Sequence, residues 1–324
     1  MQKLVSLTLP NKLPAEKAIQ SWGQNIHDYE PEFWEYQYET YRYLKNISEA
    51  ELIERYRNIC RNFEVLTTGV DRDVIPIHSF LSSWFWYRKE HQTRYEFHLR
   101  NINLPFHTPH SQAILHAPFR AKFPNSCDIL FRYGNFKYMK LFVEKGEIRI
   151  SPASFYKDGI LNDPKKDDEL NKHKWALGDR ITITTKDGRQ SPIIGDLKET
   201  VSIPNDYYVL SMSCDFIPKV FEEFKYDSCV IIKDYNKFVD RIDCYSKYIL
   251  HNFDFFHFPI EYFDPREQIK DHYFDPVLCK DFVYAYQMEY RFFWIPLEKV
   301  KTLDYMFLNL GPLNDICELY TLNL

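Results

Sequence analysis

Residues 287–296 read QMEYRFFWIP. An amide and an acid lead into an unbroken aromatic and apolar run closed by Pro296, the pattern of a buried strand. On an extended strand, side chains at i and i+2 share a face. Gln287, Glu289 and Arg291 are therefore expected on one side, with Met288 and Tyr290 on the other. A carboxamide beside a carboxylate is costly to bury without a partner. Two arrangements satisfy it: a cavity that uses both groups, or a solvent-facing strand on which Glu289 pairs with Arg291.

Working outward, DILFRYG at 128–134 is a short apolar run ended by Gly134 and reads as a strand. FKYMKLFVEKG, 136–146, reads as a short helix stopped by Gly146. EIRISP at 147–152, YYVLSMS at 207–213 and CVIIKD at 229–234 read as further strands, the last followed by NKFVDRI. Residues 156–206 are polar and are expected to form a long functional loop with some helix and a hairpin at Asp187-Gly188. Strands interrupted by short helices, without βαβ alternation, make residues 126–324 an α+β unit.

Residues 1–125 read as a mainly helical region. Pro14 leads AEKAIQSWGQNIHDY, which has helical propensity. Ser48 and Glu51 form a capping-box pattern, and Leu52, Ile53, Tyr56, Ile59, Cys60 and Phe63 then recur at helical spacing. Another helix is expected from Ile77 to Arg100. Pro105, Pro109, Pro118 and Pro124 mark an irregular connection.

Composition excludes several classes. Only 9 of the 324 residues are glycine, and neither a G-x-G-x-x-G nor a Walker run is present. A Rossmann dehydrogenase and a P-loop ATPase are thereby excluded. The net charge is −5 with the signs interspersed, so a generally basic nucleic-acid binder is not indicated. A local basic groove is compatible with that total. The 7 cysteines form no C-x-x-C pair, which suits a reduced cytoplasmic compartment. No signal peptide and no membrane span is expected. His107 and His110, with His116 nearby, lie in a proline-rich segment and lack the H-E-x-x-H pattern, so no metal is expected. KKDDEL, 165–170, is expected as a solvated charged loop in preference to the carboxylate cluster of a Mg²⁺ nuclease. Aromatics are 17% of the chain, mostly core material, with some in the N-terminal region available to stack on bases.

Three motifs follow in order: Arg132 within LFRYG, Ser211-Met212-Ser213, and Gln287-Met288-Glu289. Each is weak alone, since a strand arginine, two strand-end serines and an exposed glutamate are all commonplace. Together they resemble the Arg-Ser-Glu class of ADP-ribosyltransferases over roughly residues 128–296. FRYG, Asn162-Asp163-Pro164 and QMEYR also resemble a bacterial family long described as of unknown function. Met212 stands where better-known members have Thr.

The resemblance implies a split, mixed β-sheet ADP-ribosyltransferase-like domain with NAD as co-substrate. It makes Glu289 the catalytic acid and Gln287 a catalytic neighbour that bears on the acceptor. Arg132 and Tyr133 are implied to hold the NAD phosphates or the adjacent ribose. Ser211 is implied to shape the nicotinamide pocket and Ser213 to orient Glu289. Phe155 or Tyr156 is a candidate to stack on nicotinamide, and Asn162 a candidate to line the site. Gln in place of Glu at 287 favours a nucleobase acceptor, RNA above all, over arginine. A protein side chain is the alternative acceptor, followed by a nuclease or a non-catalytic binding module. The implied role is a bacterial toxin or phage-defence effector, from a toxin–antitoxin–chaperone type of system, with a possible antitoxin partner.

Overall fold

The computed structural model describes residues 5–8, 31–68, 73–74, 83–106, 129–157, 168–267, 275–300 and 302–322. The expected helix after Pro14, the histidines at 107, 110 and 116, and Asn162-Asp163-Pro164 lie outside these residues.

The N-terminal region contributes α1 (Pro31–Tyr41), α2 (Glu49–Leu66) and α3 (Ser83–Leu99). The capping box forms as read: the Ser48 N–H donates to Glu51 Oε2 at 2.9 Å, and the Glu51 N–H donates to Ser48 Oγ at 3.2 Å. Tyr38, Tyr41, Tyr43 and Phe97 are buried together with Leu44 and Leu52. These aromatics are core, not a base-stacking surface, because the helices have too few aliphatic residues to close their interface without them.

Beyond them lie α4 (Phe136–Lys145), α5 (Pro218–Phe224) and α6 (Tyr235–Ile249). The central sheet contains β1 (Leu130–Gly134), β2 (Glu147–Pro152), β3 (Tyr208–Ser213), β4 (Ser228–Ile232), β5 (Phe253–Pro259), β6 (Glu289–Pro296), β7 (Met306–Asn309) and β8 (Cys317–Thr321). Its order is β5-β6-β3-β1-β4-β8, with β2 also on β3 and carrying β7. The α+β class and each strand read from the sequence of this region are present.

One edge of β3 divides. β3 pairs with β6 along its whole length, from Tyr208↔Trp294 to Ser213↔Glu289. On its other edge it meets β2 at Tyr208 and Val209, and β1 only at Ser213. The sheet therefore splits between β1 and β2, leaving the Ser211 backbone without a strand partner on that side. All pairings in this sheet are antiparallel, in place of the mixed sheet expected. Neither α4 nor α6 returns the chain to a strand beside the one it left, so no parallel crossover unit arises. A short parallel pair, Glu261–Phe263 with Cys279–Asp281, lies outside the sheet.

α4 ends at Gly146, whose φ is +64° and whose N–H returns to Leu141 and Phe142 carbonyls. A side chain there would collide with the Gly311 carbonyl oxygen. α4 buries Met139, Phe142 and Val143, and α6 buries Phe238 and Ile242, against Leu210, Met212, Phe292 and Trp294 on one sheet face. The other face carries Phe131 and Tyr133, packed with Phe216, Phe221 and Ile59 of α2.

The N-terminal helices are fastened here by charge as well as by packing. Arg55 of α2 makes two hydrogen bonds, 3.1 and 2.6 Å, to Asp264, which also pairs with Lys89 of α3 at 2.6 Å. All three are buried.

Among the described residues of 156–206, about half of the expected loop is strand. Asn171–Leu177 pairs with Asp196–Ser202, and Thr182–Thr185 with Gln190–Pro192 around the expected turn at Asp187-Gly188. Val5–Thr8 adds a strand to the second pair. A ribbon with polar residues on both faces has no apolar alternation for a sequence reading to detect. Among the described residues no helix is long and apolar enough to cross a membrane. The described cysteines are free thiols.

Candidate functional site

Cross-strand partners share a face. In the β3–β6 register Ser211 lies opposite Arg291, and Ser213 opposite Glu289. These four side chains occupy the sheet face that α4 and α6 leave open, while Met212, Tyr290 and Phe292 enter the core on the helical side. A cavity of about 150 Å³ opens above them. Arg132, Tyr133, Tyr156, Ser211, Ser213, Gln287 and Glu289 all line it. Such a volume holds roughly one benzene-sized ring. A larger ligand would seat one ring inside and leave the rest outside.

Gln287 reaches the cavity by a route the sequence does not predict. It ends a 3₁₀ turn, Phe282–Gln287, and Met288 is left-handed at φ +45°, so the strand starts only at Glu289. One local bond and several from distant residues enforce this turn. Asp281 caps the Val283 N–H at 3.0 Å. Asn62 of α2, fully buried, accepts from the Tyr286 N–H at 2.7 Å and donates to the Val283 carbonyl at 3.2 Å. Ser213 Oγ donates to the Gln287 carbonyl at 2.8 Å. Ser213 thus holds the turn, whereas the Ser211 hydroxyl is among the groups that lower the Glu289 carboxyl.

Glu289 is buried and both its oxygens are engaged. Oε1 accepts from Arg291 Nε at 2.9 Å, and Oε2 from Lys280 Nζ at 3.0 Å. Its backbone N–H donates to Tyr262 Oη at 2.8 Å. Arg291 is fully buried and also forks onto Glu169 at 2.9 and 3.0 Å and onto the Val277 carbonyl at 3.1 Å. Lys172 reaches Glu169 at 3.3 Å. Burial by itself would raise the Glu289 carboxyl, but the charges of Arg291 and Lys280 outweigh it and hold it well below the usual carboxylate range. Burial would likewise lower Arg291, and Glu169 and Glu289 reverse that.

The two arrangements offered by QMEYR are therefore both half realised. The Glu289–Arg291 pair exists, yet its strand is buried instead of solvent-facing. Arg132 lies on the opposite pleat from Phe131 and Tyr133 and enters the split, where its Nη1 donates to the Ser211 carbonyl. Tyr133 keeps its ring at the cavity while its hydroxyl accepts from the Ile217 N–H and donates to the Asp215 carbonyl at 3.3 Å. Of the two aromatic candidates only Tyr156 lines the cavity. Phe155 is 38% exposed and lies against the Arg149 guanidinium, 5.0 Å away, with its ring edge-on to Tyr156 at 5.9 Å between centroids.

Sequence reading missed Glu169, Lys172 and Lys280. Glu169 belongs to the charged run expected to be solvated, but it is 4% exposed beneath Arg291. Its burial depends on a partner 122 residues away, which no local pattern reveals. Lys280 interrupts the apolar VLCKDF, and that interruption is the signal that was available. Among the described residues no group of three or more His, Cys, Asp or Glu side chains could hold a metal ion. No protein-family model, curated protein or solved structure matches the chain.

Proposed function

We propose that this chain is an NAD-dependent ADP-ribosyltransferase acting on a nucleobase, with RNA the favoured acceptor. The observation that carries the reading is convergence. Arg132, Ser211, Ser213, Gln287 and Glu289 come from three separate stretches of sequence and meet at one cavity at the split in the central sheet.

The cavity suits the reaction's first half. Its volume matches one nicotinamide-sized ring, with Tyr156 available beside it. Loss of nicotinamide develops positive charge on the ribose carbon, as in glycoside cleavage. A carboxylate that stays ionised in a shielded site stabilises that charge. Glu289 has this property, because its cationic neighbours keep it deprotonated. Arg132, in the split, is the group suited to the pyrophosphate. The resemblance extends the proposal to a cytoplasmic toxin or phage-defence effector with an antitoxin partner.

A non-catalytic anion-binding module is the second reading. It is favoured by the engagement of both Glu289 oxygens by cations, which dilutes the negative field available to a ribose. One experiment separates the two. The protein is incubated with radiolabelled NAD and, separately, RNA, DNA and protein, and nicotinamide release is followed in parallel. Label in the RNA fraction, with Glu289→Gln reducing nicotinamide release on the order of 10²-fold or more while the fold persists, supports the transferase. Absence of both release and label in wild-type protein rejects it.

A further inference from the structure

Lys280 has no place in the motifs that suggested the transferase, yet it holds the two polar groups of the last motif together. Its Nζ lies 3.0 Å from Glu289 Oε2 and 3.1 Å from Gln287 Oε1. It also stands 4.0 Å from Glu169 and 4.8 Å from the centre of the Tyr284 ring. Its side chain is 8% exposed, and it lines the cavity. It comes from Cys279–Asp281, a strand outside the central sheet that pairs with Glu261–Phe263.

We infer that Lys280 is a specificity-determining residue that excludes cationic acceptors; this rests on the transferase reading above. A guanidinium seeking Gln287 must reach the same amide oxygen that the ammonium holds. Hydrogen-bond lengths then put the two positive centres within about 4–6 Å. Like charges at that separation in a shielded site repel strongly. Nearby Lys172, Arg291 and Arg132 add to the positive field, and Glu169 and Glu289 are already paired. A neutral nucleobase meets no such penalty, and its flanking phosphates are drawn to the same field despite the net charge of −5. In the transfer, the bond between the ribose carbon and nicotinamide breaks, and nicotinamide leaves with the electron pair. The acceptor nitrogen's lone pair makes the new bond to that carbon, and its proton passes to solvent.

The test offers radiolabelled NAD with an equimolar mixture of single-stranded RNA and agmatine, a small guanidinium. The readout is the ratio of label in the two acceptors, so changes in NAD turnover cancel. Wild-type protein should favour RNA by roughly tenfold or more. Lys280→Met and Lys280→Gln should each shift the ratio toward agmatine by at least about tenfold, and Lys280→Arg should keep the wild-type ratio. Two neutral variants guard against a packing defect particular to one of them. An unchanged ratio in the neutral variants, or wild-type protein that labels agmatine as readily as RNA, overturns the inference and leaves the transferase reading standing. Wild-type protein that releases no nicotinamide overturns both.

Discussion

Arg291 and Glu169, 122 residues apart in the chain, are joined by two buried hydrogen bonds of 2.9 and 3.0 Å beneath the cavity. This fork ties β6 to the residues that begin the Asn171–Leu177 ribbon strand, so the cavity floor and the polar arm are one structure. Removing one partner of such a pair leaves a buried charge uncompensated, at a cost of about 3–5 kcal/mol. Glu169→Ala should therefore destabilise the protein by about that amount in urea unfolding. A loss below about 1 kcal/mol would show that Arg291 is satisfied without Glu169.

Glu289 should leave a signature in the pH dependence of stability. Its folded-state carboxyl is held below its unfolded value, which is about 4.3 for glutamate. The stabilisation from this shift is present above the unfolded value and is lost as pH falls toward the folded one. Urea midpoints of wild-type protein and Glu289→Gln, measured from pH 8 to pH 3, should differ by a constant amount down to about pH 5. The gap should then shrink below about pH 4. A gap that does not change across the range would show that the carboxyl is not depressed.

Asn62 links the N-terminal helices to the site, because both ends of its amide hold the turn that carries Gln287. Asn62→Leu leaves the buried Tyr286 N–H without its side-chain acceptor, while the Val283 carbonyl keeps Arg61 at 3.1 Å, and should cost about 1–3 kcal/mol. Asn62→Asp keeps the acceptor for Tyr286 but sets a carboxylate oxygen against the Val283 and Asn58 carbonyls in a buried place, and should lose at least as much. Nicotinamide release should fall more in Asn62→Leu than in a core variant of α2 with equal destabilisation, such as Ile59→Val or Ile59→Ala, whichever matches. Equal activities at equal stability would assign Asn62 to packing alone.

Gly146→Ala tests the connection between α4 and β2. The left-handed φ and the collision with the Gly311 carbonyl require the backbone to move. The variant should lose more than about 1 kcal/mol in thermal or urea unfolding. Gly188→Ala is the control, since its φ is also positive but nothing crowds it. It should lose less than Gly146→Ala.

Local elements are legible in the sequence wherever apolar residues repeat with a clear period. LFRYG, EIRISP, YVLSMS, SCVII and the run through FFWIP announce strands because their faces are buried. Ser48-x-x-Glu51 and Gly146 announce helix ends, because a cap is a contact between neighbours in the chain. The sequence also named some of the polar groups that line the cavity, Arg132, Gln287 and Glu289 among them, but not Glu169 or Lys280. What those groups touch is set by contacts across the fold. The split at β3, the all-antiparallel order, the 3₁₀ turn under Gln287 and the pairing of Glu289 with Lys280 and Arg291 depend on partners far away in sequence. A buried charge is tolerable only when its neighbour is known, and for Glu169 that neighbour is set by the register of β6 and not by any residue beside it.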